Sequence, residues 1–192
     1  MKKNITLFIV LMCFAVSCKS KIPYSENMKL EMKEMYSKDQ ILQIWDPKKE
    51  QRQSYRDSME VELNLLCVKN LNVVKTYFND NGFPGIKENG KEASLNFWLI
   101  VQHGDHDVKF QNKVLKAMRK EVNYKNVSLR NFAYLYDRVK KNQNKPQLYG
   151  TQISWTTGKP LPYNLKNPKE VNGRRMKMEL EPIEDYLKSF NR

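Results

Sequence analysis

Residues 93–107 read ASLNFWLIVQHGDHD, and this stretch decides the fold. Its centre, residues 97–101, is apolar on nearly every side of a helix, which predicts a helix buried in the middle of the domain. The last five residues hold both histidines of the chain and two carboxylates. A buried helix that ends in titratable side chains at a tight turn can hold a reactive group beside water. We therefore expect a functional site at this turn.

Helical spacing of apolar residues extends to both sides of this stretch. Upstream, a methionine stripe predicts a helix over residues 26–42, and residues 48–79 predict one long helix or two before a run of turn formers. Downstream, two amphipathic helices follow. The first has Asp105 or Asp107 as a candidate N-cap, and the second has Ser128.

The C-terminal part of the chain departs from helical spacing. Residues 147–155 alternate in polarity and carry aromatic side chains, which suits a strand or an extended loop, and turn formers at 158–160 favour a hairpin. Pro168 and Pro182 predict the starts of two short helices. The sequence therefore predicts a mainly α fold, a single helical domain of about six or seven helices with a small β-hairpin or extended insert near residues 147–163.

The N-terminus resembles a bacterial lipoprotein signal. Lys2 and Lys3 precede an apolar run at residues 5–16, which is shorter than the roughly 20 residues of a membrane-spanning helix. In such signals the peptide is cleaved before a cysteine, here Cys18, which then carries fatty acids such as palmitate. A secretory peptide that contains a cysteine by chance is the alternative. The resemblance divides the chain into a signal peptide at 1–17, a tether at 18–25 and a domain at 26–192.

Composition and the N-terminus together limit the partners. Residues 19–21 lack the acidic side chains that resemble a surface-export tag, so we expect an envelope protein anchored to the membrane through acylated Cys18 and facing the periplasm. The chain is basic, with a formal net charge of +13. Its basic residues, however, are scattered and alternate with acids, and they do not form a block with interleaved aromatics. This pattern predicts no binding of nucleic acid.

Cys67 is the one cysteine that remains after Cys13 leaves with the signal and Cys18 is acylated. No disulfide within the chain is therefore expected. Because Cys67 stands among aliphatic residues, we expect a small buried hydrophobe and not a nucleophile.

Several polar motifs follow one another along the chain. They are Gly82-Phe83-Pro84-Gly85, Gln102-His103 with Asp105, Ala133-Tyr134-Leu135 with Asp137-Arg138-Val139, Gln147 with Tyr149-Gly150-Thr151-Gln152, and Arg174-Arg175 with Leu180 and Tyr186. In this order they resemble an uncharacterised bacterial family, a domain of unknown function whose members look like small, mainly helical domains. The resemblance extends from about Asp39 onward, with Gly104 at a position where alanine is more usual. It implies a shared site and supplies no activity.

His103 is the first candidate for catalysis. With Asp105 or Asp137 to orient its ring, it would suit a general acid or base. The alternative is a histidine at a helix end that is hydrogen-bonded to a carbonyl. His-x-Asp-His also offers metal ligands, but the spacing differs from His-Glu-x-x-His and the chain has no third histidine. We therefore predict no metal and no cofactor.

A second group of side chains is a candidate for ligand binding. Arginine forks bind carboxylates and phosphates, and amides and hydroxyls at strand-like spacing could hydrogen-bond a polar ligand. The alternatives are a structural ion pair beside Asp137 and buried amides that tie the loop to the helical core. The candidates are Arg138, Gln147, Tyr149, Thr151, Gln152, Arg174 and Arg175.

The sequence therefore predicts a lipid-anchored envelope protein that binds a polar or anionic small ligand or glycan in a cleft of His, Asp, Arg and Gln side chains. One alternative is a hydrolase with His103 as general acid or base, and another is a non-catalytic envelope scaffold. Phosphate loops, dinucleotide fingerprints and nucleophile elbows do not occur in the sequence, which argues against the best-known enzyme classes. Enzyme activity and oligomeric state stay open.

Overall fold

The computed structural model describes residues 22–44, 46, 48–156 and 158–190. The predicted signal peptide, Cys18 and the proline at position 47 lie outside these residues. The described chain is mainly α, as predicted, with seven α-helices and a single two-stranded antiparallel sheet. The helices are α1 Glu26–Leu42, α2 Gln53–Asn81, α3 Ile86–Gln102, α4 Val108–Val122, α5 Leu129–Asn142, α6 Val171–Met176 and α7 Ile183–Lys188; the strands are β1 Ile153–Ser154 and β2 Leu161–Pro162.

Helix α3 lies at the centre and packs against α1, α2, α4 and α5, which confirms the prediction for its apolar run. Phe97 is fully buried and contacts the rings of Tyr24, Phe78 and Phe83 at centroid distances of 5.9–6.2 Å. Such aromatic contacts add to the free energy gained by burying apolar area. Gly90 has a φ of 82°, so the first turn of α3 is offset from the buried part by a kink.

Helix α2 is one continuous helix, not two. All of its buried residues lie on one face of its C-terminal half, from Cys67 to Phe78, whereas Val61 and Leu65 in its first half are exposed. The helix ends where Gly82 adopts a φ of 77° and donates its N–H to the carbonyl of Phe78. A residue without Cβ adopts this conformation readily.

Two side chains cap the helices around the histidine turn. The side chain of Asp107 accepts a hydrogen bond from the N–H of Phe110 at 2.9 Å and starts α4, and that of Ser128 accepts from Asn131 at 3.2 Å and starts α5. Asp107 therefore satisfies the N-cap, for which Asp105 was the other candidate. Asp105 is left for other contacts.

After α5 the chain forms a long loop, the short hairpin of β1 and β2, and the two small terminal helices. The hairpin pairs Ile153 with Pro162 and Ser154 with Leu161, as predicted for this region. None of the described helices combines the length and the apolar character needed to cross a membrane.

Candidate functional site

His103 directly follows α3, and its ring is held by a carboxylate from α1. The His103 Nδ1 atom lies 2.7 Å from Oδ1 of Asp39, whose residue is only 2 % exposed. Oδ2 of Asp39 accepts a hydrogen bond from Gln40 Nε2 at 2.9 Å. The orienting carboxylate is therefore Asp39, and neither Asp105 nor Asp137 takes this place.

The contact sets the tautomer of the ring. A carboxylate only accepts hydrogen bonds, so a neutral His103 carries its proton on Nδ1 and presents Nε2 as an acceptor. The His103 side chain is 23 % exposed, in contrast to the buried Asp39. This arrangement gives a fixed base with a free ring nitrogen on a partly exposed side chain.

Asp105 is held by Arg138 from α5. Arg138 donates from Nε to Oδ1 at 2.8 Å, and its Nη2 lies 2.6 Å from Oδ2, which is the bidentate geometry of a guanidinium–carboxylate pair. Asn142 and Gln111 also donate to Oδ1. Burial by itself raises the pKa of Asp105, but the hydrogen bonds and charge of Arg138, with the two amides, lower it below its usual value. Asp105 is therefore a fixed anion.

Arg138 has hydrogen-bonding capacity left. Besides the pair with Asp105, its Nη1 donates to Oε1 of Gln152 at 3.2 Å. A guanidinium has five N–H groups, so one N–H on Nη1 and one on Nη2 stay without a partner among the described residues. The side chain is 27 % exposed.

His103 and Arg138 separate two clefts, and both side chains line each of them. The first, which we call the α2 cleft, has a volume of about 440 Å³. The second, the aromatic cleft, has a volume of about 330 Å³. The α2 cleft is also lined by Gln43, Leu63, Asn64, Cys67, Val68, Asp105 and His106. The aromatic cleft is also lined by Trp98, Leu99, Gln102, Tyr134, Lys141, Thr151, Gln152, Ile153, Tyr186 and Phe190.

Cys67 contributes a thiol to the wall of the α2 cleft. Burial raises its pKa to about 11, and the charges of Asp39 and Asp105 act in the same direction. The thiol is therefore protonated at neutral pH and is a poor nucleophile, as the sequence indicated.

Asp137 lies outside both clefts and organises the loop after α5. It is fully buried, and its two oxygens accept hydrogen bonds from the N–H groups of Leu148, Tyr149 and Thr151 and from the Thr151 hydroxyl. Burial raises the pKa of Asp137 above its usual value, and these donors oppose part of the increase. Its contacts are those of a structural residue and not of an orienter for His103.

Gln147 and the two consecutive arginines have the same kind of role. Gln147 is fully buried and exchanges hydrogen bonds with the backbone of Gln152. Arg174 donates to the carbonyls of Leu148, Lys166 and Asn167, whereas the fully buried Arg175 donates to those of Tyr149 and Glu181.

The two clefts beside His103 and Arg138 do not include Gln147, Tyr149, Arg174 or Arg175. Most hydrogen bonds of these residues fix the loop, although the buried Nη2 atom of Arg175 has no hydrogen-bond partner. For Gln147 the alternative interpretation of a buried structural amide applies, since its side chain bonds to the backbone of Gln152. Of the predicted binding residues, Arg138, Thr151 and Gln152 do line the aromatic cleft. Among the described residues there is also no group of three or more His, Cys, Asp and Glu side chains that could hold a metal ion.

The fold and the site define a class: a small, mainly helical domain whose central helix ends in a histidine held by a carboxylate and flanked by an arginine. The chain belongs to a family of unknown function, DUF6624, whose model matches residues 57–192. The matched residues include His103, Asp105 and Arg138, but they begin after Asp39. Comparison with curated proteins and with solved structures finds no match.

Proposed function

We propose that this chain is a lipid-anchored envelope protein, facing the periplasm, that binds a polar or anionic small ligand or glycan beside His103 and Arg138. One observation carries the binding site: both side chains are fixed by carboxylates and line the same two clefts. The anchor and the periplasmic side rest on the N-terminal sequence alone. Groups that are already held in place lose little conformational entropy when a ligand binds. The two free N–H groups of Arg138 and the Nε2 atom of His103 supply the contacts.

Charge favours an anionic group on one side of the site. Asp105 and Arg138 neutralise each other, so the charge that remains in the aromatic cleft is that of Lys141. A carboxylate, a phosphate or an acidic sugar would be attracted there, within the field of a basic chain.

Arg138→Lys tests the binding site. The variant keeps the charge but loses the bidentate pair and the two free N–H groups. The matched control is Arg130→Lys on the same helix, since the Arg130 side chain is 49 % exposed and pairs with Glu181 outside the clefts. The assay is thermal unfolding of residues 19–192 with a panel of neutral oligosaccharides, uronic acids, sugar phosphates and dipeptides.

A ligand at about a hundred times its Kd should raise the Tm of the wild type and of Arg130→Lys by about 5–10 °C. The increase should be lost in Arg138→Lys and in His103→Ala. A ligand that stabilises all four proteins equally would place binding elsewhere and contradict the proposal.

The anchor has its own test. Cys18→Ser should release the protein from membranes to the soluble fraction, whereas Cys13→Ser, inside the signal, should leave the protein in the membrane fraction. Retention of the Cys18→Ser variant in membranes would contradict the anchor.

A hydrolase is the second candidate, and the contact between Asp39 and His103 is the specific observation that favours it. Nε2 would accept a proton from water, and the free N–H groups of Arg138 would stabilise negative charge that develops on the substrate. The test is turnover of p-nitrophenyl esters and glycosides. His103→Ala should lower kcat by about 10²–10⁴-fold, and the control Arg130→Lys, outside both clefts, should not. If the wild type turns over none of these substrates, the hydrolase is refuted and the ligand-binding protein remains the proposal.

A further inference from the structure

Two of the residues that line the aromatic cleft each carry a buried polar atom that has no hydrogen-bond partner. Among the described residues only three side-chain atoms are in this state, and two of them, Trp98 Nε1 and Gln102 Oε1, belong to residues that line this cleft. Trp98 is 9 % exposed and Gln102 is 6 % exposed. A buried polar atom without a partner destabilises a fold, so such atoms are rare and point to a ligand or a water molecule that satisfies them.

The two atoms differ in what they need. The indole N–H of Trp98 is a donor, and Oε1 of Gln102 is an acceptor. The residues are four apart on α3, so their side chains neighbour one another on one face of the helix. A ligand that satisfies both must offer an acceptor to Trp98 and a donor to Gln102.

A secondary amide meets this requirement. Its carbonyl accepts from Trp98 and its N–H donates to Gln102, and the two groups point in opposite directions. A carboxylate or a phosphate has no donor for Oε1 of Gln102 and would face it with a second oxygen. Simple anions therefore fit this pair of atoms less well than an amide does.

The rest of the cleft matches a sugar ring. Tyr134, Tyr186 and Phe190 supply aromatic surface for the C–H face of a ring, with Lys141 and Gln152 as partners for its hydroxyls. The volume of about 330 Å³ is at the small end of the range of about 300–1,000 Å³ for small-molecule sites. It suits one or two rings.

We propose that the aromatic cleft binds an N-acetylated amino sugar, with the acetamide group between Trp98 and Gln102. This inference rests on the proposed function, since His103 and Arg138 form the border of the same cleft. It adds the chemical class of the ligand.

The test is a titration of the wild type with N,N′-diacetylchitobiose, followed by the NMR signal of the Trp98 indole N–H. Cellobiose, which has hydroxyls in place of the acetamides, is the matched control sugar, and N-acetyl-alanine methylamide tests an amide without a sugar. Diacetylchitobiose should shift the Trp98 signal and bind at least tenfold more tightly than either control.

Trp98→Phe keeps an aromatic ring and removes the donor. It should weaken binding of diacetylchitobiose by about tenfold or more, while the control Arg130→Lys, outside the cleft, should not change it. Circular dichroism checks that both variants fold. The comparison of sugars uses only the wild type, so it tests the inference even if a variant does not fold.

The outcomes separate the two proposals. Equal binding of cellobiose and diacetylchitobiose, lost in Arg138→Lys, would overturn the amide inference and leave the polar-ligand site. If N-acetyl-alanine methylamide binds as tightly as diacetylchitobiose, the cleft recognises an amide without a sugar, and the inference is overturned. If no sugar or amide binds and the wider panel also fails, both proposals fall.

Discussion

Asp137→Asn should destabilise the fold even though it removes a buried charge. The carboxylate of Asp137 accepts hydrogen bonds from three backbone N–H groups and one hydroxyl. Asparagine has the same shape but only one acceptor oxygen, and its NH₂ group turns toward the remaining donors. If the oxygen stays with Thr151, the N–H of Leu148 faces another donor.

Two opposing effects set the magnitude. A buried N–H without an acceptor costs about 1–3 kcal/mol, and each bond that changes from a charged to a neutral acceptor loses about 1 kcal/mol. In the other direction, the substitution relieves the burial of charge that raises the pKa of Asp137. We expect the loss of acceptors to dominate, with a net decrease in the free energy of unfolding of about 2–4 kcal/mol.

The same substitution has a pH dependence of defined sign. Because burial raises the pKa of Asp137 in the folded protein, this group stabilises the fold fully below its unfolded pKa. The contribution is lost as the pH rises through the folded pKa. The difference in unfolding free energy between the wild type and Asp137→Asn should therefore be larger at about pH 4 than at about pH 8.

Urea unfolding followed by far-ultraviolet circular dichroism measures both effects. The control is Asp185→Asn on α7, where the side chain is 58 % exposed and pairs with Lys188. This control should change the unfolding free energy by less than about 0.5 kcal/mol. Wild-type stability of Asp137→Asn, or a difference that grows with pH, would refute the reasoning.

Three further substitutions or reactions test other parts of the structure. Gly104→Ala should cost about 1–3 kcal/mol, because its Cβ would lie 2.8 Å from the methyl carbons of the buried Leu71. Combining it with Leu71→Val should recover part of this loss in thermal unfolding, and strictly additive effects would contradict the clash. Because the pKa of Cys67 is raised to about 11, Ellman's reagent should react slowly at neutral pH and faster only as the pH approaches that value. If the folded protein reacts at neutral pH as fast as the protein unfolded in urea, the raised pKa of Cys67 is refuted. Nitrogen NMR should show that the neutral ring of His103 carries its proton on Nδ1 in the wild type. In Asp39→Asn the population should shift toward the Nε2-protonated tautomer, with His106 as the reference. An unchanged tautomer ratio in the variant would contradict the contact between Asp39 and His103.

The sequence predicts the helices well because their signals are local. The apolar run in α3, the cap residues Asp107 and Ser128 and the turn at Gly82 each depend on a few neighbouring positions. Burial of α3 follows from the same spacing, since a helix that is apolar all round must be covered on every side.

The partner of His103 depends on a contact that local patterns do not contain. Asp39 is 64 residues away in sequence and meets the ring only because α1 packs against α3. One signal was present: Asp39 continues the stripe of Met32 and Met35 on the buried face of α1. A carboxylate in an apolar stripe needs a partner, and a histidine near the core is a natural one.

The polar residues of the long loop show that residue type alone does not distinguish a ligand-binding residue from a structural one. Gln147 and Arg174 have the donors of a binding site, but a loop also exposes many backbone carbonyls that need partners. Sequence spacing does not distinguish a donor that meets a ligand from one that meets its own loop. The contacts of Arg174 with Leu148, Lys166 and Asn167 show the second case.

The position of α1 relative to the family match has a practical meaning for anyone who shortens this chain. A fragment cut at residue 57 would keep the imidazole of His103 and lose the only carboxylate that holds it among the described residues. It would also uncover the side of α3 that α1 packs against. The smallest unit that can report on this protein's chemistry therefore begins before α1, and an inactive fragment without that helix would say nothing about the intact protein.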